Sequence, residues 1–367
     1  MRLIDLIGYP AILVAFLCHH WGHGAAWEPG ATFLLAAIGV IPLAHLMGEA
    51  TEHLATRTGP TWGGLLNATF GNAAELIIAV IALTKGLNDV VKASLTGSIL
   101  GNLLLVAGGA MVVGGWSRQE QRFNRRAAEA SAGLLTIAVA SMLLPAIFHL
   151  TVERLHDRDI AEHQFQLSVA TSIVLLSVYA LGLLFTLRTH RHLLSSTPHA
   201  TTDPVRGWSV NRSVTMLLLA SAGIGVVAEL LVGSAEAVGH TLGWSPIFVG
   251  VILLATVGNA AEHSTALQLA RADDMETAMT ITLQSSLQIA LFVTPVLVFT
   301  SAILVGLGFE HASHLDLVFT PLEVVSVMLT VFTVVVLGMD GRTNWFEGVL
   351  LLGLYLILGI GFFFVPT

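Results

Sequence analysis

The sequence predicts an all-α polytopic membrane protein with about 11 transmembrane helices, arranged as one extra N-terminal helix plus two inverted five-helix repeats. Three observations predict it. Of 367 residues, 54% are hydrophobic and 11% charged. Soluble domains carry about 25% charged residues, so this composition would leave large apolar surfaces in water. The apolar residues come in runs of about 20, the length that crosses roughly 30 Å of hydrocarbon. Finally, the pentapeptide Gly-Asn-Ala-Ala-Glu occurs twice, at Gly71–Glu75 and at Gly258–Glu262, once in each half of the chain.

The candidate spans are 4–20, 31–54, 62–84, 90–114, 127–149, 163–188, 210–237, 245–270, 275–304, 315–338 and 344–365. Segment 1–20 has a short apolar core followed by a long apolar chain, so it reads as a first span or a membrane-lying helix rather than a cleaved leader. Spans 31–54, 62–84, 90–114, 127–149 and 163–188 form a first repeat over 31–188. The third candidate holds the first pentapeptide, and 90–114 holds Ser-Leu-Thr-Gly-Ser-Ile-Leu-Gly-Asn. The longest polar stretch, His190–Asn211, contains Ser195, Ser196, Thr197, Pro198 and Pro204, which end any helix. It defines a central cytoplasmic loop, 189–209. The second repeat, 210–365, holds the second pentapeptide in 245–270 and Thr-Leu-Gln-Ser-Ser-Leu-Gln in 275–304. Its last spans are 315–338 and 344–365.

Basic residues orient the chain. With the N-terminus cytoplasmic, twelve of the sixteen Lys and Arg fall at inner ends, and only Lys85, Lys92, Arg154 and Arg158 lie outside. That is the positive-inside bias, with the C-terminus outside. A short chain without a targeting extension then reads as a plasma- or inner-membrane protein. Because five is odd, the second repeat enters from the opposite face, and the two pentapeptides run in opposite directions.

Glu75 and Glu262 sit near the middle of their spans, where a charge costs about 2.5–3.5 kcal/mol on insertion scales. One such acid in a Gly/Ala-rich helix would read as a stray contact residue. Two at matching depths point to one interior polar site. Gly71 and Gly258 let the backbone bend there, while Asn72 and Asn259 add amide oxygens and donors. The spans that follow each pentapeptide add Ser98 and Asn102 in one repeat and Ser285 and Gln288 in the other, with both serines 23 residues after their Glu. Ser98 and Asn102 share one helix face, as do Ser285 and Gln288.

Carboxylates, amides and hydroxyls without a thiolate suit a hard cation, and Ca²⁺ takes 6–8 oxygens more readily than Mg²⁺, which keeps its waters. Two carboxylates balance one Ca²⁺ or two protons, and they titrate as a coupled pair. The empty −2 state is costly to carry through an apolar barrier, so Ca²⁺ one way couples to protons the other way. No cofactor is expected beyond these transported ions.

His263 follows Glu262 and points about 100° away on a regular helix, which suits a proton relay or a helix–helix hydrogen bond equally well. Glu49 and Glu52 read as a cytoplasmic cation entrance or as interfacial acids. Glu229 and Glu236, seven apart, have the same reading on the outer side. No basic cluster suggests nucleic acid. The single Cys18 excludes an internal disulfide framework. The expected partners are Ca²⁺, H⁺ and the lipid bilayer, with a homo-oligomer left open.

Gly-Asn-Ala-Ala-Glu-Leu with Gly-Ser-Ile-Leu-Gly-Asn, and Gly-Asn-Ala-Ala-Glu-His with Ser-Ser-Leu-Gln-Ile-Ala-Leu, resemble the paired α-repeats of the Ca²⁺/cation antiporter superfamily, most closely its Ca²⁺/H⁺ exchanger branch. The resemblance covers nearly the whole chain. It implies Glu75 and Glu262 as the Ca²⁺/H⁺ acids, with Asn72, Asn259, Ser98, Asn102, Ser285 and Gln288 in support. It also implies proton-gradient-driven export of cytosolic Ca²⁺ by alternating access, with spans 31–54 and 210–237 moving against the rest. Sodium-coupled relatives typically carry Pro before the repeat acid, whereas this chain has Ala74 and Ala261. Segment 189–209 holds a single acid, Asp203, which departs from relatives with an acidic central loop. The alternatives are a Na⁺- or K⁺-coupled Ca²⁺ or Mn²⁺ exchanger and, remotely, an intramembrane metalloenzyme using Glu262 and His263, although no His-Glu-x-x-His motif is present.

Overall fold

A computed structural model describes residues 3–22, 24–58, 60–154, 160–189, 207–338 and 340–366. The helices are α1 (Leu3–Trp21), α2 (Glu28–Thr58), α3 (Pro60–Phe70), α4 (Ala73–Thr84) and α5 (Asn88–Gly115). They continue with α6 (Arg125–Arg154), α7 (Ile160–Thr189), α8 (Val210–Leu242), α9 (Pro246–Gly258) and α10 (Ala260–Arg271). The last three are α11 (Met275–Gly306), α12 (Pro321–Gly338) and α13 (Trp345–Phe363). Among the described residues eight helices are long and apolar enough to cross a membrane, and the pair α9–α10 makes a ninth as one span bent by 61°. α1 contributes a shorter apolar helix over Leu6–Trp21, and α4 another. The chain is therefore a multi-pass helical membrane protein. Most of the central loop, residues 190–206, lies outside the described residues.

Local chemistry sets the helix ends. The Ser209 hydroxyl accepts from the Arg212 N–H to start α8, and Gly243, at φ 68°, closes it in the left-handed region that favours glycine. Ser245 caps α9, with Pro246 at its first position. The carboxylate of Asp274 caps α11. Thr320 and Glu323 form a reciprocal capping box on α12: the Glu323 carboxylate accepts from the Thr320 N–H at 2.9 Å, and the Glu323 N–H reaches the Thr320 hydroxyl at 3.3 Å. α12 therefore begins at Pro321, inside the candidate span 315–338. Residues 315–320 lie outside any helix or strand, with Leu315, Leu317 and Phe319 buried in alternation. Two short strands, β1 (Gln121–Arg122) and β2 (Arg342–Thr343), pair antiparallel and join the α5–α6 loop to the α12–α13 loop.

The apolar core is continuous through α2, α4, α5, α8, α9 and α11. Along four helices the regular turn widens to a π-type turn, over Gly101–Val106 in α5, Phe185–Thr189 in α7, Val249–Leu254 in α9 and Ile289–Val293 in α11. Such turns are rare and often lie near functional sites. Those of α5 and α11 begin within one turn of Ser98 and Gln288.

Candidate functional site

Each pentapeptide breaks its helix. α3 stops at Phe70 and α4 starts at Ala73, while α9 stops at Gly258 and α10 starts at Ala260. Asn72 (φ −104°, ψ 28°) and Asn259 (φ −91°, ψ 4°) leave helical geometry at the breaks. A break exposes unpaired N–H groups at the start of each new helix. Glu75 is the third residue of α4 and Glu262 the third of α10, where the positive end of the helix dipole favours a carboxylate.

The polar groups pair across the two halves. The Ser285 hydroxyl donates to Asn72 Oδ1 at 3.1 Å, and Asn72 Nδ2 donates to Gln288 Oε1 at 2.5 Å. In the other direction, Asn259 Nδ2 donates to Ser98 Oγ at 2.9 Å and to the Ala255 carbonyl at 2.9 Å. Asn102 bridges the two sets, donating to Ser285 Oγ at 2.8 Å and to Asn259 Oδ1 at 3.4 Å. Asn72, Ser98, Asn102, Asn259 and Ser285 are all buried. A buried network satisfied in this way holds its members rigidly.

The two acids lie within this network. Glu75 packs on the second break: a Cβ on Gly258 would lie 3.3 Å from Glu75 Cγ, so a larger residue there would press on the Glu75 side chain. Glu262 lies beside the Ser285 hydroxyl, and the two carboxylates are near enough to act on each other electrostatically. Both side chains keep a buried Oε2 without a hydrogen-bond partner. Buried polar atoms are nearly always satisfied, so these two carboxylate oxygens are acceptors that a cation or a proton would satisfy. His263 packs its ring over Gly101 of α5, and its Nε2 is likewise buried and without a partner. Among the described residues no three His, Cys, Asp or Glu side chains gather as metal ligands. The remaining donors around the two acids are amide and hydroxyl oxygens.

The outlying acids stand apart from this cluster. Glu49, Glu52, Glu229 and Glu236 are all exposed. Glu49 Oε1 lies 3.9 Å from His53 Nε2 on its own helix. Glu229 meets Lys85 at the end of α4, with Nζ 3.2 Å from its main-chain oxygen and 3.9 Å from Oε1. Nothing in the spacing of the sequence pointed to Lys85 as that partner, because the contact joins residues 144 apart.

The two ends of the site differ. α9 is packed hard against α5, where a Cβ on Gly97 would lie 2.1 Å from the Val251 carbonyl oxygen. α3 rests on α2 and the end of α7, without comparable packing on α11 among the described residues.

The profile described as "Sodium/calcium exchanger protein" matches residues 29–188 and 212–364. A Ca²⁺/H⁺ antiporter of Synechocystis sp. is 42% identical over 94% of this chain and 94% of its own. The Ca²⁺/H⁺ antiporter ChaA of Bacillus subtilis is 39% identical over 97% and 96%. The solved structure of native YfkE superposes with a TM-score of 0.81 at 35% identity, covering 99% of this chain and all of that one.

Proposed function

The chain belongs to the sodium/calcium exchanger family, in its Ca²⁺/H⁺ exchanger branch, and from that premise we propose that it exports cytosolic Ca²⁺ in exchange for protons by alternating access. Members are transporters and not enzymes, which removes the metalloenzyme alternative. The observation that carries the reading is the pair of orphaned carboxylate oxygens, one on each broken helix, beside break asparagines that serines of the opposite half hold in place. Glu75 and Glu262 bind Ca²⁺ with help from the oxygens of Asn72 and Asn259, or they carry protons when Ca²⁺ leaves. Ser98, Asn102, Ser285 and Gln288 fix the two asparagines, and His263, next to Glu262, is the imidazole for a proton relay. Either loaded state is charge-balanced, whereas the empty dianion is penalised in an apolar surround. Because protons and Ca²⁺ use the same oxygens, they compete.

An eleven-span layout fits this mechanism. We read the eight long helices, the bent pair α9–α10, the broken pair α3–α4 and α1 as its eleven crossings. The N-terminus is inside, the C-terminus is outside, and the two halves are inverted in the plasma or inner membrane. Glu49 and Glu52 then flank the inner approach, and Glu229 and Glu236 the outer one.

The test is Ca²⁺ uptake into liposomes holding the purified protein, under a proton gradient and a Na⁺ gradient imposed separately. Uptake driven by the proton gradient alone is expected. Uptake that follows the Na⁺ or K⁺ gradient would replace this reading with the cation-coupled alternative.

A further inference from the structure

The long helices α2 and α8 run antiparallel against each other. Leu43 lies over Gly223, the Ser221 hydroxyl reaches the Met47 sulfur, and Arg57 donates to the Gly207 carbonyl. The 187-residue offset between the two pentapeptides also relates Trp21 to Trp208, Glu49 to Glu236, Ala50 to Ala237 and His53 to His240. Each long helix is thus preceded by a Trp and carries Glu-Ala-x-x-His near its end. Exchanging the two halves turns a His53–Trp208 contact into a His240–Trp21 contact.

Only one of the two contacts is formed. The His53 ring lies 4.9 Å from the Trp208 ring, tilted by 37°, and the Arg212 guanidinium sits 4.6 Å over the same indole. At the other end Trp21 is 79% exposed and His240 is exposed. The offset places Ala25 at the counterpart of Arg212, so that end lacks the cation as well. This asymmetry matches the one at the site, where α9 is closed on α5 and α3 stands away from α11.

We propose that His53 and Trp208 form a latch on the state in which the α3 end is open, and that Trp21 and His240 form the matching latch of the opposite state. The latch rests on the alternating-access reading. A packed contact made in one state and absent in the other biases a two-state equilibrium by its own free energy. An aromatic stack contributes a factor of about 2–10, and the Arg212 cation–π contact a factor of about 2–5.

Position 67 reports the state. Asn67 on α3 is exposed, whereas Leu254, its counterpart on α9, is buried. With Cys18→Ser as background and Asn67→Cys as reporter, the purified full-length protein is labelled with a hydrophilic maleimide at about pH 8, where an ordinary imidazole is neutral. No ion gradient is applied, so the result stands apart from whether Ca²⁺ exchanges for protons. His53→Ala and Trp208→Ala are each expected to slow labelling about 2- to 10-fold. The double variant should be no slower than the slower single, because both remove one contact. Trp208→Phe should keep the wild-type rate, and Trp21→Ala should label at or above it. Unchanged labelling in His53→Ala, or in Trp208→Ala where that variant folds, would overturn the latch. So would additive losses in the double variant, or equal slowing by Trp21→Ala.

Discussion

Replacing Gly97 by Ala should force apart the tightest helix contact beside the site. The new Cβ would lie 2.1 Å from the Val251 carbonyl oxygen and 2.6 Å from its carbonyl carbon and Cα. All three are backbone atoms, so no side chain can swing away. To restore ordinary contact, α9 must retreat from α5 by more than about 1 Å, and overpacking of this kind costs about 1–3 kcal/mol. The higher helix propensity of Ala returns about 1 kcal/mol, which leaves a net loss of up to about 2 kcal/mol. The loss falls on the state with α9 closed on α5, so both thermal stability and the balance of states should change. The assay is thermal unfolding of the purified protein in detergent, with Gly133→Ala as control. Gly133 has open space around its Cβ position, and that variant should be as stable as the parent or more so. A Gly97→Ala protein with the parent's unfolding temperature and exchange rate would show that α5 and α9 are not packed as described.

Ca²⁺ affinity should fall as pH falls between about pH 9 and pH 6, because a protonated carboxyl no longer offers its oxygens and Ca²⁺ binding must release the proton. Calorimetric titration at several pH values measures this, and a flat affinity would contradict competition at Glu75 and Glu262. Asn259→Ala should cost about 1–3 kcal/mol in stability, because it takes from the buried Ser98 hydroxyl its amide donor and from Asn102 Nδ2 one of its two acceptors. Denaturation alongside Thr265→Ala, an exposed helix position, separates that loss from a general effect of truncation. Thr320→Ala should destabilise the start of α12 by about 1 kcal/mol, and faster amide exchange over 321–324 would report it.

Much of the fold was readable because bilayer thickness sets a length that hydropathy can measure. The breaks were readable in part, since Gly71-Asn72 and Gly258-Asn259 interrupt apolar helices with a residue lacking Cβ and one that tolerates non-helical backbone. Their sharpness was not. Candidate span 62–84 is two helices, α3 and α4, and hydropathy alone cannot tell a bend from a break. The start of α12 was present as Thr-Pro-Leu-Glu but hidden, because alternating Leu315, Leu317 and Phe319 look as apolar as a helix in a long window. At the site, the equal 23-residue spacing put Ser98 and Ser285 at matching positions in the two repeats. It could not show that each serine serves the asparagine of the other half, since those contacts join residues 161 and 213 apart. The π-type turns of α5 and α11 left no pattern in the sequence.

The central claim is that Glu75 and Glu262 form one exchange site for Ca²⁺ and protons. Its most direct test is proton-gradient-driven uptake of labelled Ca²⁺ into vesicles carrying Glu75→Gln or Glu262→Gln. Each variant should lose exchange almost completely while remaining folded in the membrane. Near-normal exchange in both would contradict the claim.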